Sequence, residues 1–344
     1  QASMTREIGK ADRARELYET ALTMIEDETL RCQALIGMAS CNRWMGRGEE
    51  SASILQETEQ TALSKREYNL LSQVGYYRGS HLFTKNELDK AIESYENGLE
   101  SAKKCGNKAW IARNLSGLAD CYYAGLQMSK ALSAFRDCIN ISHQEGLGRI
   151  EVPNKYMTGL TRRYLNEMKS GLEDILTAQK LAKDVGHHRC EMYSTNFAAE
   201  FLLEMGELDE ALNASNRAVE LTFMTQNERF RAYAMNQKAR CLMELGDTEK
   251  ALELLDEAIK ISRKVGMPFV GPRLLGTLAV CTDDKFTRKD ALAEGFNILR
   301  DGCHAHNQLW FLRDAIEAAL HTNDSAAALQ YASHLELITN REPL

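Results

Sequence analysis

The chain has 344 residues, of which 44% are apolar and 26% are charged, and its formal net charge is −7. This composition is typical of a soluble protein with a buried core, and the acidic balance argues against a nucleic-acid-binding surface, which is normally basic. Nine cysteines lie scattered without a CxxC pair, which favours a reduced, cytoplasmic protein, and neither a signal peptide nor a membrane-spanning apolar run is present.

The predicted elements begin with residues 1–6, whose start before a methionine is typical of a cloning remnant or a disordered end. Residues 7–344 are predicted to form a single array of about eight to nine helical repeats. The predicted units are 7–28, which is partial, and 31–65, 68–106, 108–146, 150–186, 189–226, 229–266, 269–302 and 307–340. The units shorten at both ends, as expected where stacking ends, and the chain is expected to be a piece of a longer polypeptide.

Two ladders of residues, each with a period of 40 positions, define these units. Two helices are expected to approach closely at the first ladder, so that a larger side chain there would push them apart. Glycines of the second ladder are expected to end helices, because glycine readily adopts the left-handed backbone conformation. The first ladder comprises Ser51, Ala91, Ala131, Gly171, Ala211, Ala251 and Ala291, and the second comprises Gly106, Gly146, Gly186 and Gly266, with Gln226-Asn227 at its one interruption.

Each unit is predicted to be a helix, a tight turn and a second helix. In the unit that contains Phe230, apolar residues at helical spacing stop at Gly246, and a second helix with Ala251 and Leu255 on one face runs to Gly266. Only four prolines occur in the chain, while Ala, Leu, Glu and Met are abundant. The sequence therefore predicts an all-α protein.

The turn sequences resemble those of the tetratricopeptide repeat. Residues 206–212 and 246–252 share the pattern Gly-Asp/Glu-x-x-x-Ala-Leu, and an aromatic residue follows the ladder alanine by four positions at Tyr95 and Phe135. The usual unit of that family has about 34 residues, so each helix here would be almost one turn longer. HEAT and armadillo repeats, with periods of roughly 40 to 47 residues, are the alternative. The resemblance implies a right-handed α-solenoid of antiparallel helix-turn-helix hairpins.

Residues 269–344 carry a second resemblance. Trp310-Phe311 and the run 313–317 look like the tail region of bacterial regulators that place a class III adenylate/guanylate cyclase domain and an AAA-type ATPase before tetratricopeptide repeats. Maltose-type transcription activators are similar in layout. Neither a P-loop nor a cyclase motif occurs in this sequence. The chain itself is therefore expected not to be an enzyme, and the resemblance implies that a cyclase or ATPase domain lies elsewhere in the parent protein.

Candidate binding residues come from the tetratricopeptide resemblance, which implies that the first helix of each hairpin lines a concave groove with exposed ligand-binding positions. Asparagines in register could hold an extended peptide by two-point hydrogen bonds, and tyrosines offer apolar area with a polar tip. Tyr193/Tyr233 and Asn196/Asn236 are such pairs, 40 positions apart. The groove residues selected by ladder position are Tyr76, Ser80, Phe83, Arg113, Asp120, Tyr156, Arg163, Tyr193, Asn196, Glu200, Tyr233, Asn236 and Arg240.

Other polar clusters are predicted to be structural. The Cys/His groups at 186–190 and 303–306 lack the spacing of a structural zinc site, so neither a metal nor another cofactor is expected. The cysteines within helices are expected to pack as small apolar residues. Arg313, Asp314 and Glu317 are expected to form an ion-pair network in the final hairpin rather than a contact surface.

The sequence as a whole predicts a non-catalytic interaction and regulatory module from a larger signalling protein. Its concave groove would bind a peptide, a helix or a neighbouring domain of the same protein. The alternative is a small-molecule sensing module that relays ligand binding to an ATPase or cyclase domain. Partners are expected to be proteins rather than nucleic acid or membrane, and uncapped terminal repeats could support oligomers.

Overall fold

A computed structural model describes residues 1–7, 10–303 and 305–340 of the chain. These residues form eighteen α-helices and no β-strand, and none of the helices is both long and apolar enough to cross a membrane. The helices are α1 (Ala2–Glu7), α2 (Ala11–Leu22), α3 (Glu28–Trp44), α4 (Gly48–Ser64), α5 (Tyr68–Thr84), α6 (Leu88–Lys104), α7 (Lys108–Ala124), α8 (Met128–Gln144), α9 (Gly148–Tyr164), α10 (Met168–Asp184), α11 (His188–Glu204), α12 (Leu208–Met224), α13 (Glu228–Glu244), α14 (Thr248–Val265), α15 (Met267–Cys281), α16 (Lys285–Asp301), α17 (Ala305–His321) and α18 (Ser325–Thr339).

The 40-residue period has a simple structural origin. From α3 to α13 every helix has 17 residues and a turn of about three residues follows it, so that one helix recurs every 20 positions and one hairpin every 40. The all-α solenoid of helix hairpins predicted from the sequence is confirmed.

Left-handed backbone conformations recur at the turns with the same 20-residue step. Glycine holds most of these positions, as at Gly206 (φ 79°) and Gly246 (φ 85°), because it has no Cβ to clash. Six turns of the described residues place another residue there: three use asparagine, and the other three use Arg66 (φ 55°), Leu126 (φ 58°) and Gln226 (φ 51°). The glycine ladder seen in the sequence was therefore only part of a longer series of left-handed turn residues.

Close helix packing explains the ladder of small residues. Ala211 and Ala251 have no exposed surface. A Cβ atom on Gly171 would lie only 2.7 Å from the ring of Phe201 and 2.9 Å from the main-chain oxygen of Gly159. The ladder residues are small because neighbouring helices leave no room for more atoms.

The chain divides into two compact units. The N-terminal unit comprises Gln1–Tyr122 and Lys130–Asn154, and the C-terminal unit comprises Tyr123–Ser129 and Lys155–Leu344. In the N-terminal unit, helix α1 covers most of the residues that the sequence predicted to be a remnant or disordered.

Helix α1 contacts α2 in the N-terminal unit. The Ser3 and Tyr18 hydroxyls are 2.9 Å apart, and Ala2 packs against the cluster that contains Ala14 and Tyr18. These apolar and polar contacts stabilise α1, because a helix of six residues is not stable in isolation.

The last hairpin of the C-terminal unit folds back onto the start of that unit. Leu309 of α17 packs with Leu126 and Met128, and Leu335 of α18 belongs to the same apolar cluster. Helix α17 also packs along α15. Side chains of α17 therefore face residues from α9, α11, α13 and α15, and this arrangement creates the site described below.

Candidate functional site

Three of the predicted groove residues of the N-terminal unit lie in an aromatic cluster. The ring centroid of Tyr76 is 5.7 Å from that of Trp110 and 6.0 Å from that of Tyr95. The guanidinium of Arg113 lies 5.3 Å from the Trp110 ring centroid, and the Tyr95 hydroxyl donates a hydrogen bond of 3.1 Å to Ser80 Oγ. All three predicted residues, Tyr76, Ser80 and Arg113, are half-buried rather than open to solvent.

The other two predicted residues of this unit differ in character. Phe83 packs against the apolar cluster around Ala91 and Tyr95. Asp120 is half-buried, and its carboxylate makes no hydrogen bond or ion pair within the described part of the chain. Burial raises the pKa of Asp120 to about 7, because no neighbouring cation stabilises the charged form.

A row of aromatic rings runs across the first helices of the hairpins in the C-terminal unit. Neighbouring ring centroids in this aromatic row are 4.2 to 6.0 Å apart, which is the range of favourable aromatic contacts. The row comprises Tyr156, Tyr193, Phe197, Phe230, Tyr233 and Phe269.

The predicted residues Tyr156, Tyr193 and Tyr233 therefore come together. Sequence reasoning missed Phe230 as a member, although its position three residues before Tyr233 on the same helix was a signal.

Asn196 and Asn236 occupy equivalent places one repeat apart, yet both are only 1% exposed. Neither carboxamide forms a hydrogen bond within the described residues: both polar atoms of Asn196 and the Oδ1 of Asn236 are buried without a partner. The expectation of exposed positions is therefore wrong for both residues. Asn236 lines a cavity together with Trp310 and Arg313 of α17.

Glu200 is the centre of a buried ionic network. Its carboxylate accepts hydrogen bonds from Arg163 (3.0 Å), Arg273 (2.6 Å) and the Tyr233 hydroxyl (2.7 Å). The side chains of Arg163, Glu200 and Arg273 are at most 7% exposed. Burial by itself would raise the pKa of Glu200, but the two guanidinium groups outweigh burial and hold the pKa well below its usual range.

Ion pairs continue this network to helix α17. Arg163 contacts Glu204 at 2.9 Å, and Arg240 contacts the fully buried Asp314 at 2.7 Å. Arg313 reaches Asp314 at 3.3 Å and Glu204 at 3.4 Å. The predicted pairing of Arg313 with Asp314 is confirmed. The predicted ion pair of Glu317 is not found among the described residues.

Trp310 lies among three of these guanidinium groups. Their central carbons are 4.0 Å (Arg163), 4.1 Å (Arg313) and 4.8 Å (Arg273) from the indole centroid, within cation–π range. The indole Nε1–H donates a hydrogen bond of 3.1 Å to the hydroxyl of Tyr164. Trp310 thus connects α17 to both α9 and α15.

Two cavities flank Trp310. The first has a volume of about 450 Å³ and the second about 700 Å³. Glu204, Trp310 and Arg313 line both cavities and so form a shared wall. The first cavity is more polar and is also lined by Glu200, Asn236, Gln237, Arg240, Arg273 and Glu317, whereas Tyr164, Met168, Leu309, Ala332 and Leu335 are among the residues that line the second.

No group of three His, Cys, Asp or Glu side chains within the described ranges could hold a metal ion. Of the predicted 303–306 cluster, His304 lies outside the described residues. Burial raises the pKa of the Cys303 thiol to about 11, so this thiol is protonated at neutral pH. At the 186–190 cluster, the Nδ1 of His187 accepts a hydrogen bond from the main-chain N–H of Cys190, which caps α11.

The fold and the ladder of turns define a class: all-α proteins built of tandem helix-hairpin repeats. Residues 188–264 match the family described as "Tetratricopeptide repeat", and residues 1–95 match the family described as "Tetratrico peptide repeat". The chain is a tetratricopeptide-repeat protein. No curated protein sequence matches it significantly.

Several solved structures share the fold. A Rap protein complexed with competence and sporulation factor aligns with a TM-score of 0.77 and 17% identity, over 99% of this chain and 96% of that one. The Rap conjugation gene regulator of plasmid pLS20, in complex with the Phr* peptide, aligns with a TM-score of 0.62 and 14% identity, over 99% and 94% of the two chains.

A further similar structure is the signal transduction ATPase with a tetratricopeptide repeat sensor from Pyrococcus horikoshii. It aligns with a TM-score of 0.65 and 18% identity, over 83% of this chain but only 44% of that one. At these identities the likeness is one of fold.

Proposed function

We propose that this chain is a non-catalytic interaction module that binds a peptide along the inner face of its C-terminal unit. The observation that carries the proposal is the pair Asn196 and Asn236, two buried carboxamides one repeat apart that have no hydrogen-bond partner. The aromatic row runs across the same helices and offers apolar area to the side chains of a peptide.

A buried polar group without a partner costs about 1–3 kcal/mol of stability. An extended peptide presents N–H and C=O groups in pairs, and an asparagine carboxamide can both donate to and accept from one peptide unit. Because both amides are 1% exposed in the free protein, the side chains that cover them must move aside when a peptide binds. Binding would then satisfy groups that the free protein leaves unpaired, in register with the 40-residue step.

Similar folds support a peptide as the ligand. One Rap protein was solved with competence and sporulation factor and another with the Phr* peptide. Both alignments span at least 94% of each chain, so the likeness includes the whole inner face. We infer that this chain binds the same class of ligand.

The predicted residues of the N-terminal unit would serve a different kind of partner. Tyr76, Arg113 and Asp120 are half-buried around one aromatic cluster, and Asp120 has no counter-ion among the described residues. We infer a helix or a neighbouring protein domain as the partner of this surface. The nine cysteines, which are all free thiols, support a reducing, cytoplasmic location.

Small-molecule sensing is the second candidate, and the cavities beside Trp310 favour it. Volumes of about 450 and 700 Å³ lie within the range of about 300–1,000 Å³ that is usual for ligand pockets. The ATPase of similar fold is described as carrying a tetratricopeptide repeat sensor. Under this candidate, the parent protein of this chain would carry an ATPase or cyclase domain that receives the signal.

The peptide proposal is tested with variants that should raise the stability of the chain and weaken its binding of peptides. The immobilised chain is exposed to a pool of randomised decapeptides, and retained peptides are identified and titrated by calorimetry. Asn196→Leu and Asn236→Leu keep the side-chain size but remove the unpaired amide. We expect both variants to melt at a higher temperature than the wild type and to bind the selected peptides at least about tenfold more weakly.

Asn213→Ala, on an exposed position of α12, is the matched control and should change neither property. Retention of no peptide would contradict the proposal. Undiminished peptide binding by the variant that combines Asn196→Leu and Asn236→Leu would also contradict it. A thermal shift with nucleotides or sugars, but with no peptide, would favour sensing instead.

A further inference from the structure

Two acidic side chains on the wall of the first cavity lack a counter-charge. Glu244 and Glu317 line this cavity, and neither forms an ion pair within the described residues. Glu244 is exposed, whereas Glu317 is half-buried. The lining as a whole carries four carboxylates against three guanidinium groups, which leaves an excess of one negative charge. A ligand with a single positive charge would balance it.

Helices α13 and α17 run in the same direction along this cavity. The guanidinium carbon of Arg273 lies 4.9 Å from the ring centroid of Tyr233 on α13 and 4.8 Å from that of Trp310 on α17. Further along both helices, Arg240 of α13 pairs with Asp314 of α17 at 2.7 Å. The two helices therefore present their side chains to the cavity in the same order.

Both unpaired acids consequently lie at one end of the cavity. Glu244 follows Arg240 on α13 and Glu317 follows Asp314 on α17, each by about one helical turn. Burial lowers the pKa of Arg240, but the contacts with Asp314 and, to a smaller extent, the charge of Glu317 outweigh burial and raise it. This agrees with the position of Glu317 beyond the ion pair. We call this part of the cavity the acidic end.

Two buried amides lie at the opposite end of the cavity, the amide end. Asn236 and Gln237 are 1% and 2% exposed, and neither carboxamide forms a hydrogen bond within the described residues. Asn236 precedes Glu244 on α13 by a helical rise of about 12 Å. Each carboxamide offers both donors and an acceptor, while the neighbouring guanidinium of Arg273 would repel a cation. The amide end therefore suits a neutral group that both donates and accepts hydrogen bonds.

We propose that the first cavity binds a small aminoalkyl amide, a molecule with an ammonium group at one end of a short methylene chain and a neutral carboxamide at the other. The ammonium pairs with Glu317 and Glu244, because it donates three hydrogen bonds and accepts none. The ligand carboxamide forms hydrogen bonds with Gln237 and Asn236. The methylene chain lies between the two ends and contacts apolar lining such as Leu203.

This inference names a ligand class for the small-molecule candidate and does not rest on peptide binding. Asn236 belongs to both sites, so an aminoalkyl amide and a peptide would exclude each other there. A metal ion matches the cavity less well, since no group of three His, Cys, Asp or Glu side chains in the described part of the chain could hold one. A metal ion would also leave the amide end unpaired.

The test compares four small molecules that differ at one end. N-acetyl-1,5-diaminopentane carries both groups, N-pentylacetamide lacks the ammonium, n-pentylamine lacks the amide, and 1,5-diaminopentane has a second ammonium instead of the amide. Each is titrated into the full chain by calorimetry at neutral pH, where a primary amine with a pKa of about 10 is charged. We expect N-acetyl-1,5-diaminopentane to bind at least about tenfold more tightly than each of the others, because only this molecule matches both ends.

Variants locate the ligand on the protein. Glu317→Gln removes a charge but keeps the side-chain size, and it should abolish the advantage of N-acetyl-1,5-diaminopentane over N-pentylacetamide. Gln237→Leu should weaken binding while raising the melting temperature, since it removes an unpaired buried amide. Glu249→Gln on the exposed surface of α14 makes the same change of charge and should leave binding unaltered. The wild-type comparison of the four molecules decides the matter even if a variant does not fold.

Each contrary outcome has a distinct meaning. Absence of binding, or equal affinity for N-acetyl-1,5-diaminopentane and N-pentylacetamide, would overturn this inference. Undiminished binding by a folded Glu317→Gln variant would place the ligand elsewhere and overturn the assignment. Tighter binding of N-acetyl-lysine methylamide would assign the cavity to a lysine side chain and overturn the small-molecule source. A thermal shift with nucleotides or sugars alone would overturn the ligand class but leave small-molecule sensing standing.

Discussion

Arg273 donates a hydrogen bond of 2.6 Å to Glu200, which lies 73 positions earlier in the chain. The two residues belong to α15 and α11, and the Tyr233 hydroxyl of α13 contacts both side chains. Arg163 of α9 donates to the same carboxylate, so four successive hairpins meet at one group that is almost free of solvent. This contact ties the hairpins of the C-terminal unit to one another beyond the apolar packing of neighbouring helices.

Replacing Glu200 tests how much this carboxylate contributes to the stability of the protein. Glu200→Gln leaves Arg163 and Arg273 buried without a full counter-charge, so we expect a loss of roughly 3–5 kcal/mol in the free energy of unfolding. Urea denaturation followed by circular dichroism measures the loss. Glu220→Gln is the control, because Glu220 pairs with Arg217 on the exposed surface and its loss should cost under about 1 kcal/mol. A loss as small for Glu200→Gln as for the control would show that the network contributes little.

Stability should fall as pH rises because of Asp120. Its pKa is raised by burial from 3.8 to about 7, so the folded protein holds this proton more tightly than the unfolded chain. The stabilising contribution of protonated Asp120 is complete below about pH 4 and is lost progressively up to about pH 7. Asp120→Asn should therefore melt at a higher temperature than the wild type at pH 8 and at a similar temperature at pH 4. If the melting temperatures of the variant and the wild type differed equally at both pH values, the titration of Asp120 would not be the cause.

Glycine should stabilise the turns that now hold a longer side chain. Arg66 and Gln226 are exposed and left-handed, a conformation that costs an L-residue about 1–2 kcal/mol. The gain from Arg66→Gly or Gln226→Gly is reduced by the greater chain entropy of glycine, so we expect an increase of under about 1 kcal/mol. Thermal denaturation of each single variant and of the pair measures it.

The reverse substitution at a glycine turn is the matched control for these variants. Gly206→Ala has open space around the new Cβ atom but keeps a positive φ of 79°. We expect it to lower stability by about 1 kcal/mol. An increase in stability at Gly206 would mean that backbone strain does not govern these turns.

Overpacking tests the alanine ladder. Ala211→Leu and Ala251→Leu add three carbon atoms at positions with no exposed surface, and we expect a loss of roughly 1–3 kcal/mol for each. Ala326→Leu on the exposed side of α18 should be close to neutral. A melting temperature that is unchanged in the ladder variants would contradict the close approach of the two helices in each hairpin.

The repeat could be recognised in the sequence because the packing and turn constraints within each hairpin select particular residue types. Alanines such as Ala211 and Ala251 must be small where two helices meet, and glycines such as Gly246 recur because a left-handed residue ends most of the helices, so both leave a trace at most copies. Non-glycine turn residues such as Arg66 and Leu126 left no such trace, since several residue types can be forced into that conformation by the helices on either side. The candidate site was predictable only as a face of the first helices.

The sequence by itself determined the all-α hairpin repeat and its period, because these depend on contacts between residues close together in the chain. Only the tertiary structure decided that α17 returns to this face, where Trp310 and Arg313 line a cavity with Asn236 and Arg313 lies next to Glu204, 109 positions earlier. Such a pairing depends on how much each hairpin rotates relative to the last. That rotation accumulates over several repeats from many small packing contacts, and no single residue type records it.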